Sequence, residues 1–153
     1  MAAKKKILFI DDDTDILALL KVKLKSMEND WDMHFAEGGR QALVLLQRVS
    51  FDAVVSDLLM PEINGVALLN AVMKKYPNTV RIVLSGASDK EIKLKSVDAS
   101  HQFIAKPFEI SELKSTILRA FSLSDLLNNN ILKELVTKIK SLPSLPTIYS
   151  ELM

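Results

Sequence analysis

The chain predicts an α/β fold: an open, doubly wound sheet of five parallel strands, order 2-1-3-4-5, with one extra helix at the C-terminus. Three observations carry this. Short apolar runs alternate with amphipathic stretches five times. Most of the runs are apolar throughout, as strands buried on both faces of a parallel sheet must be. The connections between them are short, and strict β-α alternation implies parallel strands joined by right-handed crossovers.

Ile7 to Ile10 is the first run, and an acidic cluster, Asp11 to Asp13, ends it. From Thr14, a fair N-cap with Asp13 and Asp15 as further candidate caps, the spacing turns helical. Ile16, Leu17, Leu20, Leu24 and Met27 then share one stripe. Trp31 to Ala36 alternates as a second strand, and Gly38-Gly39 breaks the chain before a helix face of Ala42, Leu43, Leu45 and Leu46. Ala53 to Val55 is a third strand, ending at Ser56-Asp57, and Val66 to Met73 is a helix closed near Pro77. Val80 to Leu84 is the fourth strand, ending at Ser85-Gly86. A weaker, more polar helix is expected over Ser88 to Val97. Gln102 to Ala105 is the fifth strand, followed by Lys106-Pro107, and Ile110 to Phe121 is a helix with Ser111 as N-cap and Glu112 in its first turn. For five strands the common order is 2-1-3-4-5, the flavodoxin-like arrangement.

After Phe121 the beat changes. Leu126, Leu127, Ile131, Leu132, Leu135, Val136 and Ile139 suit one amphipathic helix over 122–141, with Ser124 as its cap. Leu142-Pro143-Ser144-Leu145-Pro146 stops it.

Composition narrows the function. The chain has 153 residues, enough for one sizeable core and too few for two. Twenty Lys and Arg against 19 Asp and Glu leave a net charge of +1, without the basic excess of a nucleic-acid binder. There is no cysteine, so disulfides and thiolate zinc sites are excluded, which suits a cytoplasmic protein. Lys4-Lys5-Lys6 before four apolar residues imitates a secretory signal, but Asp11 cuts the apolar run far too short. No stretch approaches membrane-spanning length, so no membrane partner is expected.

In such sheets ligands bind beyond the strand carboxyl ends, at the switch between strands 1 and 3. Asp11, Asp12, Asp57, Ser85 and Lys106 all follow strand ends. Each alone has an ordinary explanation: a helix cap, a turn, a solvated lysine. Together they mark four different strands. Three converging carboxylates repel, and a Mg²⁺ ion, which takes oxygen ligands, resolves the conflict. Asp11, Asp12 and Asp57 would hold it, and Asp57 would also serve as nucleophile toward phosphorus. Lys106 would neutralise the phosphoryl group and Ser85 would donate a hydrogen bond to it. His34 and His101 have no ligand-like spacing and are read as structural.

Ile7-Leu8-Phe9-Ile10-Asp11-Asp12-Asp13, Asp57-Leu58-Leu59-Met60-Pro61-Glu62-Ile63-Asn64-Gly65, Leu84-Ser85-Gly86 and Phe103-Ile104-Ala105-Lys106-Pro107-Phe108 resemble the response-regulator receiver domains of two-component signalling. The resemblance spans residues 4–121. It implies a sensor histidine kinase as phosphodonor and a backbone carbonyl of Leu59 on the metal. It further implies a cis Lys106-Pro107 bond and a coupled switch of Ser85 and Phe103. That switch would alter the surface of the helix over 88–97, the fifth strand and the helix over 110–121. The domain is then a signalling switch rather than an enzyme, catalysing only its own phosphorylation and dephosphorylation. Ala99 to Phe103, together with Leu142 to Pro146, Tyr149 and Leu152, is similar to regulators carrying an HDOD output domain. Residues 122–141 are then a connecting helix and 142–153 the start of an output domain missing from this chain. A homodimer could form through the switch surface or the C-terminal helix.

Two alternatives stand beside this. A haloacid-dehalogenase-like phosphatase also uses an aspartate after strand 1, but Asp11-Asp12-Asp13-Thr14 lacks its alternate aspartates and no cap insertion is visible. A scaffold that binds without phosphorylation would not need the acidic pair, acceptor and lysine.

Overall fold

The computed structural model describes residues 3–58, 60, 63, 65–86, 102–127 and 134. The helix expected over 88–97, Leu59, His101 and the segment 142–153 lie outside them. The chain divides into two compact units, Met1–Ile117 and Leu118–Met153.

Five parallel strands form one sheet: β1 (Lys5–Ile10), β2 (Trp31–Ala36), β3 (Ala53–Asp57), β4 (Val80–Ser85) and β5 (Gln102–Ala105). Their order is β2-β1-β3-β4-β5. The apolar runs sit where their composition requires. Every residue of β3 and β4 is buried, and these are interior strands. The more polar β2 and β5 form the edges, where one side of each strand meets solvent.

Helices α1 (Thr14–Lys23), α2 (Gly39–Arg48), α3 (Gly65–Lys75) and α4 (Ile110–Leu127) connect or follow the strands. Side chains alternate across the pleat, so the sheet has two apolar faces. Leu8, Ile10 and Val54 pack with Ala42 and Leu46 of α2 and with Leu68 and Val72 of α3. Ile7, Phe9, Val55, Ile82 and Leu84, of opposite parity, are buried on the other face. Leu17, Leu20, Leu113 and Ile117 of α1 and α4 are also buried. Lys114 of α4 donates to the Ser26 hydroxyl beyond α1 at 3.0 Å, which puts those two helices on the same side.

Several helix boundaries differ from the expected ones, and four of the differences have a local reason. The N-cap of α1 is Asp13, whose side chain accepts the Asp15 N–H at 2.9 Å, so Thr14 is already helical. The apolar stripe ending at Met27 is not one helix: α1 ends at Lys23 and a 3-10 turn takes Lys25–Met27. Leu24 stays buried at that junction. The last helix starts one residue before Ser111, and Leu113 N–H bonds the Glu109 carbonyl, so Ser111 lies in its first turn. That helix then runs on to Leu127, leaving Ser124 inside it rather than capping a new one. In the second unit, Leu118, Leu123, Leu126 and Leu127 are each about half exposed.

Candidate functional site

Parallel register brings the strand ends level. Ile10 lies opposite Ser56, so Asp11 sits beside Asp57. Asp57 pairs with Leu84, and Ser85 with Ala105, one residue before Lys106. Backbone bonds extend the ladder past the strands. The Asp11 N–H donates to the Ala36 carbonyl at 3.2 Å, and the Lys106 N–H to the Ser85 carbonyl at 2.8 Å. The residues are therefore held by the sheet itself rather than by a loose loop. The Lys106-Pro107 peptide is cis.

Asp11 is almost fully buried, at 2% exposure, and Asp57 nearly so. Asp12 is exposed. One carboxylate oxygen from each of the three lies within 4.8 Å of the others. Lys106 Nζ stands 3.2 Å from Asp57 Oδ1 and 4.0 Å from Asp11 Oδ2. The Lys106 ammonium thus faces two of the three carboxylates. Burial pushes the Asp11 carboxyl up from 3.8 to about 6, and the nearby Asp57 and Asp12 charges add to that. The Asp13 N–H and Lys106 pull the other way.

The two oxygens of Asp11 differ. Oδ1 accepts the Asp13 N–H at 2.9 Å. Oδ2 is buried with no hydrogen-bond partner. A buried acceptor left unpaired is costly unless something binds it. With two further carboxylate oxygens close by and no nitrogen or sulfur donor among them, the set suits a hard divalent cation such as Mg²⁺.

Ser85 is buried at the end of β4. Phe103 is half-buried and packs against the cluster of Leu58, Leu69 and Val83. Leu59, expected to present its carbonyl, lies outside the described residues.

The segment around Asp57 carries contacts that no sequence motif announces. The Ser56 hydroxyl donates to the Asp57 carbonyl at 2.9 Å, and the Gly65 N–H donates to the Leu58 carbonyl at 2.9 Å. A Cβ on Gly65 would stand 2.6 Å from the Asp57 carbonyl oxygen and 2.7 Å from Leu58 Cα. A hydroxyl at the end of a wholly buried apolar strand was the available signal for Ser56.

The family model described as "Response regulator receiver domain" matches residues 7–118. The chain belongs to this family. Among curated relatives, this receiver domain is 26% identical over 127 residues to the regulatory protein AtoC of Escherichia coli K12. That match takes 82% of this chain and 27% of AtoC. It is 34% identical over 90 residues to the sensor kinase CckA of Brucella abortus, covering 57% of this chain and 10% of CckA. The chain thus spans about a quarter or less of the length of these relatives. Among solved structures, response regulator TrrA of Thermotoga maritima, determined in complex with Mg²⁺-BeF, superposes with a TM-score of 0.67 at 31% identity. That match covers 76% of this chain and 98% of the TrrA chain. Neither the geometry nor the comparisons support the phosphatase alternative. No helix among the described residues is long and apolar enough to cross a membrane.

Proposed function

We propose that this receiver domain is a phosphorylation-dependent signalling switch whose acceptor is Asp57. The observation that carries the reading is the joint placement of the Asp11, Asp12 and Asp57 carboxylates and the Lys106 ammonium at one rim, with Lys106 Nζ 3.2 Å from Asp57 Oδ1. Asp57 attacks the phosphorus of a phosphohistidine; a P–O bond forms, and the P–N electron pair leaves with the imidazole. Lys106 balances negative charge on the phosphoryl oxygens. Ser85, one residue past the partner of Asp57, donates its hydroxyl to the same group. Asp11, through Oδ2, which accepts no hydrogen bond, together with Asp12, Asp57 and the Leu59 carbonyl, would hold Mg²⁺. When bound, Mg²⁺ supplies positive charge that relieves repulsion among the carboxylates and the incoming phosphoryl group. The Mg²⁺-BeF complex of TrrA supports that assignment.

The donor we infer is a sensor histidine kinase, and a donor charged from ATP assigns the exchange to the cytoplasm. Movement of Ser85 toward the phosphoryl group, followed by Phe103, would change the surface read by a partner, a second copy or an output domain. The domain turns over no separate substrate. Residues 122–141, the first six of which continue α4, are assigned as the connecting segment and 142–153 as the beginning of an HDOD-like output domain, on the sequence resemblance.

Acetyl phosphate with Mg²⁺ is the direct test, read by intact-protein mass spectrometry. The wild type should gain one phosphoryl group only when Mg²⁺ is present, and Asp57→Asn should gain none. Equal labelling of Asp57→Asn would remove the acceptor assignment.

A further inference from the structure

Ser56 is fully buried on β3, beside the acceptor, and strand alternation turns its side chain to the opposite face of the sheet from Asp57. Its strand is otherwise apolar up to that point: Ala53, Val54 and Val55 precede it. By register it lies between Ile10 of β1 and Val83 of β4, on the face covered by α2 and α3. An aliphatic residue would fit that setting. The hydroxyl instead spends its proton on the carbonyl of the very next residue, Asp57, at 2.9 Å.

That carbonyl is confined from a second direction. It lies so close to Gly65 that a Cβ there would approach within 2.6 Å. The peptide plane between Asp57 and Leu58 is therefore held by a hydrogen bond on one side and by the backbone of α3 on another. This plane fixes ψ of Asp57, and with β3 holding the residue from its other side it constrains where the Asp57 Cα–Cβ bond points. The carboxylate must meet Lys106, the other two carboxylates and an incoming phosphorus together. A shift of about 1 Å in a reacting group can cost about a hundredfold in rate.

We propose that Ser56 is a positioning residue for phosphoryl transfer: its hydroxyl pins the Asp57 carbonyl against Gly65 and so aims the acceptor carboxylate. The inference rests on Asp57 being the acceptor. Without the hydroxyl the Asp57 carbonyl stays buried and loses a donor, and the peptide gains freedom to rotate about the acceptor Cα. The aim of the carboxylate suffers while the carboxylates themselves remain in place.

The experiment compares wild type, Asp57→Asn, Ser56→Ala and Ser56→Cys in the full chain. Cysteine nearly preserves the volume of serine but is a weak donor, so it removes the bond without opening a cavity. Phosphorylation by acetyl phosphate is measured across donor concentrations, and Mg²⁺ affinity is measured by calorimetry. Both Ser56 variants should show a maximal rate about tenfold lower, with half-saturating donor concentration and Mg²⁺ affinity unchanged within about twofold. A purely structural role would lower thermal stability and leave the rate of the folded protein intact, and that result overturns the proposal. So does a wild-type rate in Ser56→Cys, the deciding variant should Ser56→Ala not fold, or a fall in Mg²⁺ affinity matching the fall in rate. The Asp57→Asn control separates the two failures: if it still labels, the acceptor assignment is wrong, whatever Ser56 does.

Discussion

At the scale of the residue, Asp11 sets a conflict that the rest of the site must resolve. Its carboxyl stands at about 6 in the fold against 3.8 for an ordinary aspartate, chiefly because it is buried. Between those values the folded state holds a proton that the unfolded state has released. Stability of the metal-free protein therefore falls as pH rises from 3.8 to about 6, and this contribution is flat above that window. About two pH units correspond to a loss of about 2–3 kcal/mol. Urea unfolding in EDTA should show this decline superimposed on the other titrations. Asp11→Asn should remove it, leaving the metal-free variant more stable than wild type at about pH 7.5, by an amount of the same order. Wild type and Asp11→Asn losing stability in parallel across the window would sink the idea. On the proposed assignment, Asp11 costs the metal-free fold stability in return for a metal ligand, the kind of local sacrifice expected at a functional site.

At the scale of the element, the β3-to-α3 connection is the most tightly specified. Gly65 opens α3 where a side chain would meet backbone rather than flexible side-chain ends: Asp57 O at 2.6 Å, Leu58 Cα at 2.7 Å and Leu58 O at 3.0 Å. Backbone cannot step aside without moving β3 or α3. Gly65→Ala should therefore destabilise the fold by about 2–3 kcal/mol, seen as a lower urea midpoint with an unchanged denaturant slope. An unchanged midpoint would show that α3 can shift freely. The elements also show what the sequence made legible. The interior strands could be read because Ala53-Val54-Val55 and Ile82-Val83-Leu84 are apolar at both parities, which only a strand covered on both faces requires. The candidate site was legible as a place because Asp11 and Lys106 directly follow strands and Asp57 and Ser85 end them, all at carboxyl ends of one sheet. Helix ends were less legible. Asp11-Asp12-Asp13-Thr14 offers several capping side chains in a row, and only the backbone decides that Asp13 uses its own. Ser124 has the chemistry of a cap, but α4 passes through it without a break. Arg81 was hidden for the opposite reason. It reads as polar in a buried strand, and only the fold shows its guanidinium turned onto the Thr79 carbonyl at 3.1 Å.

At the scale of the whole molecule, the sheet order ties the proposed metal site to folding. Asp11 and Asp12 follow β1 and Asp57 ends β3, with α1, β2 and α2 intervening in the chain. Only the crossover that places β3 beside β1 brings their oxygens within 4.8 Å. An unfolded chain has no such cluster, so Mg²⁺ should bind the folded state alone and stabilise it by mass action. At a concentration about a hundredfold above Kd the gain is about 2.7 kcal/mol. Urea midpoints measured at constant ionic strength should therefore rise steadily with the logarithm of Mg²⁺ concentration in wild type. Asp11→Asn and Asp12→Asn should both flatten that rise, and they should differ without metal. Asp11 is buried and its replacement relieves strain in the empty site, whereas Asp12 is exposed and already solvated, so its replacement should leave the metal-free midpoint nearly unchanged. A wild-type midpoint indifferent to Mg²⁺, or one that follows sodium chloride equally well, would mean that the three carboxylates only repel and do not form a metal site.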